Sequence, residues 1–265
     1  MPFTFFRRAA TALAVTSALV AAGAAQAGTL VIGASEVPHA QLLEHVKPAL
    51  AQEGVTLDIK VFSDYVQPNL LVADKQLDAN FFQHQPYLDT FNKDRGTKLV
   101  SVGQVHVEPF GAYSRKVKAA GDLKEGATVA LPNDPSNSGR ALLLLQKQGL
   151  IKLRDGAGVT ATPADIVENP KKLKFRELEA AMLPRSLDDV DLALINTNYA
   201  LQADLVPTRD ALFIEGAESP YANIVVTRED NRDSVDIGKL LKALHSDDVR
   251  RFIEQQYKGA VVPAF

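Results

Sequence analysis

Leu30–Phe62 reads LVIGASEVPHAQLLEHVKPALAQEGVTLDIKVF, and its pattern decides the fold. Leu30–Ala34 is a short apolar run without charge, as expected of a strand buried on both faces. From His39 to about Glu53 apolar residues recur at helical spacing, and Gly54 closes the helix. Leu57, Ile59 and Val61 then alternate along a second strand that ends at Phe62. Strand, helix, strand at this spacing is a parallel pair joined by a crossover helix.

The alternation continues on the C-terminal side. A helix over Gln67–Asp74, a strand over Ala79–Phe82, a helix from about Tyr87 to Lys93 and a strand over Leu99–Val107 are expected. Periodicity stops near Glu108, and Pro109–Ser114 reads as an extended crossing to a second lobe. A second series follows: strands at Thr128–Leu131, Leu173–Leu178, Leu192–Ile195 and Ala211–Ile214, with helices at Ser138–Gln148 and Leu183–Asp189. Ala222–Thr227 is expected to return the chain to the first lobe. Two closing helices carry Val235, Leu240, Leu241 and Leu244, then Val249, Phe252 and Ile253 behind the cap Ser246-Asp247-Asp248. The expected architecture is α/β with two lobes and a cleft between them. Residues 28–110 with 222–265 form lobe 1, and 111–221 form lobe 2.

On the N-terminal side, Arg7 and Arg8 precede an uncharged apolar stretch from Ala9 to about Ala22, followed by Ala25-Gln26-Ala27. This is the pattern of a signal peptide cut after about Ala27. An exported chain is expected, with residues 1–27 removed. No later run reaches the length of a membrane span. The sequence has no cysteine, so it has no disulfide, no thiolate metal ligand and no lipid-bearing cysteine at the cut. A soluble periplasmic protein is the expectation. Without Arg7 and Arg8, the 29 basic residues fall to 27 against 32 acidic ones. That balance argues against nucleic acid or anionic membrane as a partner.

The usual enzyme signals are missing. His39, His45, His84, His106 and His245 show no HxxxH or HExxH spacing, and there is no GxSxG, GxxxxGK[ST] or GxGxxG. No catalytic residue, cofactor or metal is expected, and a binding protein is favoured over an exported enzyme using His84 and a carboxylate.

Four further stretches could hold a ligand. Leu77–Tyr87, LDANFFQHQPY, crowds Phe81, Phe82, His84 and Tyr87 into a strand end broken by Pro86, beside Gln83 and Gln85. Such rings can wall an apolar pocket or belong to an ordinary core. Asn133–Arg140, NDPSNSGR, opens a helix whose free N–H groups attract anions, and Arg140 adds a planar fork for a carboxylate. A capped helix with an exposed arginine is the plainer alternative. Asn196 and Asn198 end a buried strand, and Asn223 enters another. Each can meet an ammonium or a carboxylate, or only satisfy a turn. Together they suit a ligand with an amino group, a carboxylate and an apolar tail, placed beyond the strand ends of an open α/β sheet.

At these residues the chain resembles the MetQ/NlpA family, the methionine-binding proteins of bacterial ABC importers. The resemblance rests on DYVQPN (Asp64–Asn69), DANFFQHQPYLD (Asp78–Asp89), VALPNDPSNSGRALLLLQKQGLIKL (Val129–Leu153), LPRSLDD (Leu183–Asp189), ALINTNYA (Ala193–Ala200) and SPYANIVVTREDN (Ser219–Asn231). It implies a type II-like periplasmic binding protein that closes on methionine and delivers it to a membrane permease. D-methionine, methionine sulfoxide and a methionine-containing dipeptide are the alternative ligands. By motif position, Tyr65, Phe82, His84 and Tyr87 would surround the thioether. Arg140 would hold the carboxylate, and Asn196 or Asn198, with Asn223, would take the amino group. Asn137 would be a further contact. Replacing Arg140 by Ala is expected to abolish binding and spare the fold. A monomer is expected. The missing cysteine departs from a family of lipoproteins.

Overall fold

A computed structural model describes residue 1 and residues 28–216 and 219–265. Residues 2–27 of the expected signal peptide lie outside the described residues.

Leu30, Ile32 and Ala34 project into one apolar cluster and Val31 into another, so the first strand is covered on both faces. The chain runs β1 (Gly28–Ser35), α1 (Gln41–Gln52), β2 (Val55–Phe62), α2 (Gln67–Ala73), β3 (Ala79–His84), α3 (Gln85–Arg95) and β4 (Leu99–Val107). It then passes into a second unit: β5 (Gly111–Tyr113), β6 (Thr128–Pro132), α4 (Pro135–Lys147), β7 (Lys152–Leu153), β8 (Ile166–Glu168), β9 (Lys174–Leu178), β10 (Leu192–Ile195), α5 (Thr197–Gln202), α6 (Pro207–Asp210) and β11 (Phe213–Ile214). Finally come β12 (Ala222–Arg228), α7 (Val235–Leu244), α8 (Asp247–Tyr257) and β13 (Val262–Pro263).

The first large sheet has the order β13-β4-β12-β3-β1-β2 and the second β11-β5-β10-β6-β9, and β7 and β8 form a small pair of their own. Each large sheet has its own core, and β10 shows why. Leu192 and Leu194 face the cluster built on α4, while Ala193 and Ile195 face the opposite one. The chain passes between the sheets twice, from β4 to β5 and from β11 to β12.

Four details differ from expectation. The first sheet is mixed, because β12 runs antiparallel between β3 and β4. Part of the crossing near Pro109 is itself a strand, since Gly111–Tyr113 pairs with both β10 and β11. The helix expected from Ser138 starts at Pro135, because Asp134 is its cap and accepts from the Asn137 N–H at 2.9 Å. Leu183–Asp189 forms a tight 3-10 turn over Pro184–Asp188 rather than an α-helix. Gly139 is also fixed by packing. A Cβ there would sit 2.2 Å from the Val159 carbonyl oxygen, so only glycine lets α4 seat where it presents Arg140.

Candidate functional site

The antiparallel insertion of β12 builds the rim of the site. Asn223 pairs with His84 of β3 on one side and His106 of β4 on the other, forming one row across three strands. Opposite that row lie the N-termini of α4 and α5 from the second unit. Between them is a narrow cavity lined by Tyr65, Phe82, Gln83, His84, Tyr87, Glu108, Asn137, Arg140, Asn196, Thr197, Asn198 and Asn223. All eight expected site residues meet there.

One end is a box of rings. Tyr65 lies 5.7 Å from Phe82 and 5.8 Å from Tyr87, and Phe82 meets Tyr87 edge-on at 5.8 Å. His84 caps α3, its Nδ1 accepting from the Tyr87 N–H at 3.2 Å. The proton of its neutral ring is therefore on Nε2, which donates to Asn137 Oδ1 at 3.1 Å. Phe81 is not in the box. It is wholly buried in the lobe 1 core, 4.7 Å from the His39 ring.

Gln85 differs from expectation, while Gln83 lines the cavity with its amide tied to its neighbours. Ile224 pairs with Gln83 and Val225 with Phe81, so Phe82 occupies a bulge. The bulge turns Gln83 to the side of Asn80, and its amide binds Asn80 and Asn69. Gln85 reaches Asp89 at the surface.

The other end is polar, and its hydrogen bonds fix which atoms remain free. Asp134, an acceptor, takes both the N–H and the Nδ2 of Asn137. Asn137 Oδ1 must then face His84 and also accepts from Asn196 Nδ2 at 3.0 Å. That leaves Asn196 Oδ1 buried without a partner among the described residues. Asn198 Oδ1 accepts from the Tyr65 hydroxyl at 2.6 Å, leaving Asn198 Nδ2 buried without a partner among the described residues. Asn223 Oδ1 pairs with His39 Nε2 at 2.9 Å, which leaves Asn223 a donor for the cavity. Asn137, expected as a further contact, has both side-chain atoms engaged. The helix N-terminus expected to attract an anion is likewise occupied by Asp134.

Arg140 is buried rather than exposed, and it joins the two crossings. Its Nε donates to Glu215 at 2.8 Å, Nη2 donates to Glu215 and to the Glu108 carbonyl, and its plane lies over Tyr221 at 4.2 Å. Nη1 makes no hydrogen bond among the described residues and remains for the cavity.

Glu108 had no signal in the sequence. Its carboxylate is buried, and Oε1 lies 2.8 Å from His106 Nε2 and 3.3 Å from His39 Nε2. These three groups converge closely enough to hold a metal ion. Metal-bound imidazoles normally donate their second ring N–H to a partner. Both Nδ1 atoms here lack one among the described residues, so the geometry fits two imidazole N–H groups holding a carboxylate.

Burial lowers the pKa of His39 to about 4 and those of His84 and His106 to about 3, with Arg140 adding to the effect at His84. In the unfolded chain an imidazole titrates near 6.5. Between those values the unfolded state binds protons that the folded state refuses. Stability is therefore complete above the unfolded value and falls as pH drops below it, by about 1.4 kcal/mol per pH unit for each histidine. Glu108, whose pKa is raised by burial, offsets part of this. Urea unfolding at pH 7.5 and 5 should show a clear drop, and a flat profile would contradict neutral burial.

The NlpA lipoprotein family model matches residues 30–265. The chain belongs to that family. A relative from Salmonella typhimurium, D-methionine-binding lipoprotein MetQ, is 51% identical over 226 residues, covering 84% of this chain and 83% of its own. The protein of that name from Escherichia coli K12 is 51% identical over 218 residues, covering 82% and 80%. A nutrient binding protein from Burkholderia cenocepacia, solved bound to methionine, superposes with a TM-score of 0.87 at 50% identity, covering 89% of this chain and all of that one. As a member of this family the chain has the two-lobed fold of periplasmic substrate-binding proteins. Among the described residues no helix is long and apolar enough to cross a membrane.

Proposed function

We propose that this protein captures methionine between its lobes and delivers it to the membrane permease of a bacterial ABC importer. The observation that carries the reading is the division of one cavity into a ring-walled end and a polar end with free donors and acceptors of both kinds. A thioether packs well on aromatic edges, at roughly 0.3–1.5 kcal/mol per contact. Tyr65, Phe82, His84 and Tyr87 supply that wall. Arg140 Nη1, Asn198 Nδ2 and Asn223 Nδ2 suit a carboxylate, and Asn196 Oδ1 suits an ammonium. Asn198 and Asn223 were expected at the amino group; Tyr65 and His39 already use one lone pair of each oxygen, and we assign their amide N–H groups to the carboxylate. The lobes comprise 28–110 with 222–265, and 111–221, and close about the two crossings. The protein acts as a monomer without catalysis.

Lacking cysteine, the chain has no residue for the thioether-linked lipid of a lipoprotein, and we place it free in the periplasm after cleavage near Ala27. Mass spectrometry of protein purified from the periplasm tests both points. The polypeptide mass should match residues 28–265 without lipid, and denaturation should release intact methionine. Calorimetry with L- and D-methionine, methionine sulfoxide, methionyl dipeptides and leucine then ranks the ligands. Failure of methionine to bind, or its conversion to another compound, would sink the reading.

A further inference from the structure

Glu108 is the one carboxylate among the cavity-lining residues, and the one nearby cation, Arg140, acts on it through space while pairing directly with Glu215. Its Oε1 partners are His39 and His106, both uncharged near neutral pH. The nearby guanidinium of Arg140 touches the Glu108 carbonyl, while its charge is directed at Glu215. A buried carboxylate whose hydrogen bonds come only from neutral groups keeps a desolvation cost that Arg140 at a distance offsets only in part, until a positive charge joins it directly. We propose that Glu108, oriented by His39 and His106, is the counter-charge for the α-ammonium of the ligand and makes the site selective for a free, protonated amino group.

The inference rests on the amino-acid reading above and adds to it the group that demands the amine. The charges within the site explain the demand. Arg140 already shares its guanidinium with Glu215, so a ligand carboxylate arriving alone would give three carboxylates, with Glu108, around a single guanidinium. An α-ammonium arriving with it leaves the net charge of the site unchanged. Asn196 Oδ1, the buried acceptor without a partner, would take a second N–H of that ammonium.

The test compares methionine with 4-(methylthio)butanoate, the same molecule without its amino group, by calorimetry. Wild-type protein should bind methionine at least 100-fold more tightly. Glu108→Gln keeps the shape and an acceptor for the two imidazoles, but sets an amide N–H against the ammonium. It should weaken methionine at least tenfold while leaving the amine-free analogue no weaker, so the preference shrinks. Glu108→Asp keeps the charge and should keep much of the preference even where both affinities fall. A preference that survives intact in Glu108→Gln, or vanishes in Glu108→Asp, overturns the assignment. Failure of wild-type protein to bind methionine at all would instead overturn the amino-acid reading from which it starts.

Discussion

Arg140→Lys should abolish measurable methionine binding, raising the dissociation constant at least 100-fold while the protein still folds. The guanidinium serves three directions at once: Glu215 through Nε and Nη2, the Glu108 carbonyl through Nη2, and the cavity through Nη1. An ammonium on a flexible stem keeps the charge and the pairing with Glu215, but it has neither the planar fork nor a donor left over for the ligand. A 100-fold loss is about 2.7 kcal/mol, within the range for losing a buried charge-assisted contact. Arg140→Ala should show a second effect. It deprives Glu215 and the Glu108 carbonyl of their donor and takes the guanidinium away from the Phe110 and Tyr221 rings. Removing one member of a buried ion pair costs about 3–5 kcal/mol, less here because Glu215 is partly wet. Arg140→Ala should therefore lower ligand-free stability as well as abolish binding, a cost that the expectation of an intact fold did not include. Urea unfolding of both variants without ligand separates the two effects, and full-strength methionine binding by Arg140→Lys would remove Arg140 from the site.

What could be read in the sequence depended on the range of the interactions. The βαβ series was legible because alternation and helical spacing are local, and each strand with both faces covered declares itself by an unbroken apolar run. Phe82, His84 and Tyr87 were legible because a proline broke a strand beside them. The antiparallel placement of β12 was not legible, since nothing in Ala222–Thr227 records its neighbours. That placement brings His106, Asn223 and His84 into one row, so the pairing of Glu108 with His39 and His106 was hidden with it. The network that holds Gln83 was hidden for a different reason. A bulge at Phe82 shifts the alternation, and single-strand spacing carries no trace of a bulge. Asn137 looked like a ligand contact because asparagine at a helix start can serve ligand or backbone equally. Only the positions of Asp134, His84 and Asn196 decide which.

That arrangement makes Asn137→Ala the second large effect, because its side chain ties Asp134, His84 and Asn196 together at the cavity wall. Its loss removes an acceptor from His84 Nε2 and Asn196 Nδ2 and a donor from Asp134. A buried polar group left without a partner costs about 1–3 kcal/mol. In an open form, with the lobes apart, water can reach these groups. The penalty should therefore fall on the closed, ligand-holding form more than on folding. Methionine affinity should drop about 10- to 100-fold, chiefly through faster dissociation, while ligand-free unfolding changes by a smaller amount. Asn137→Asp should be worse in both measures, because it places a second carboxylate against Asp134, already buried and raised in pKa by that burial. Stopped-flow dissociation and ligand-free urea melts of the two variants give the comparison. Equal losses in affinity and in ligand-free stability would mean that Asn137 holds one lobe together rather than joining the two around a ligand.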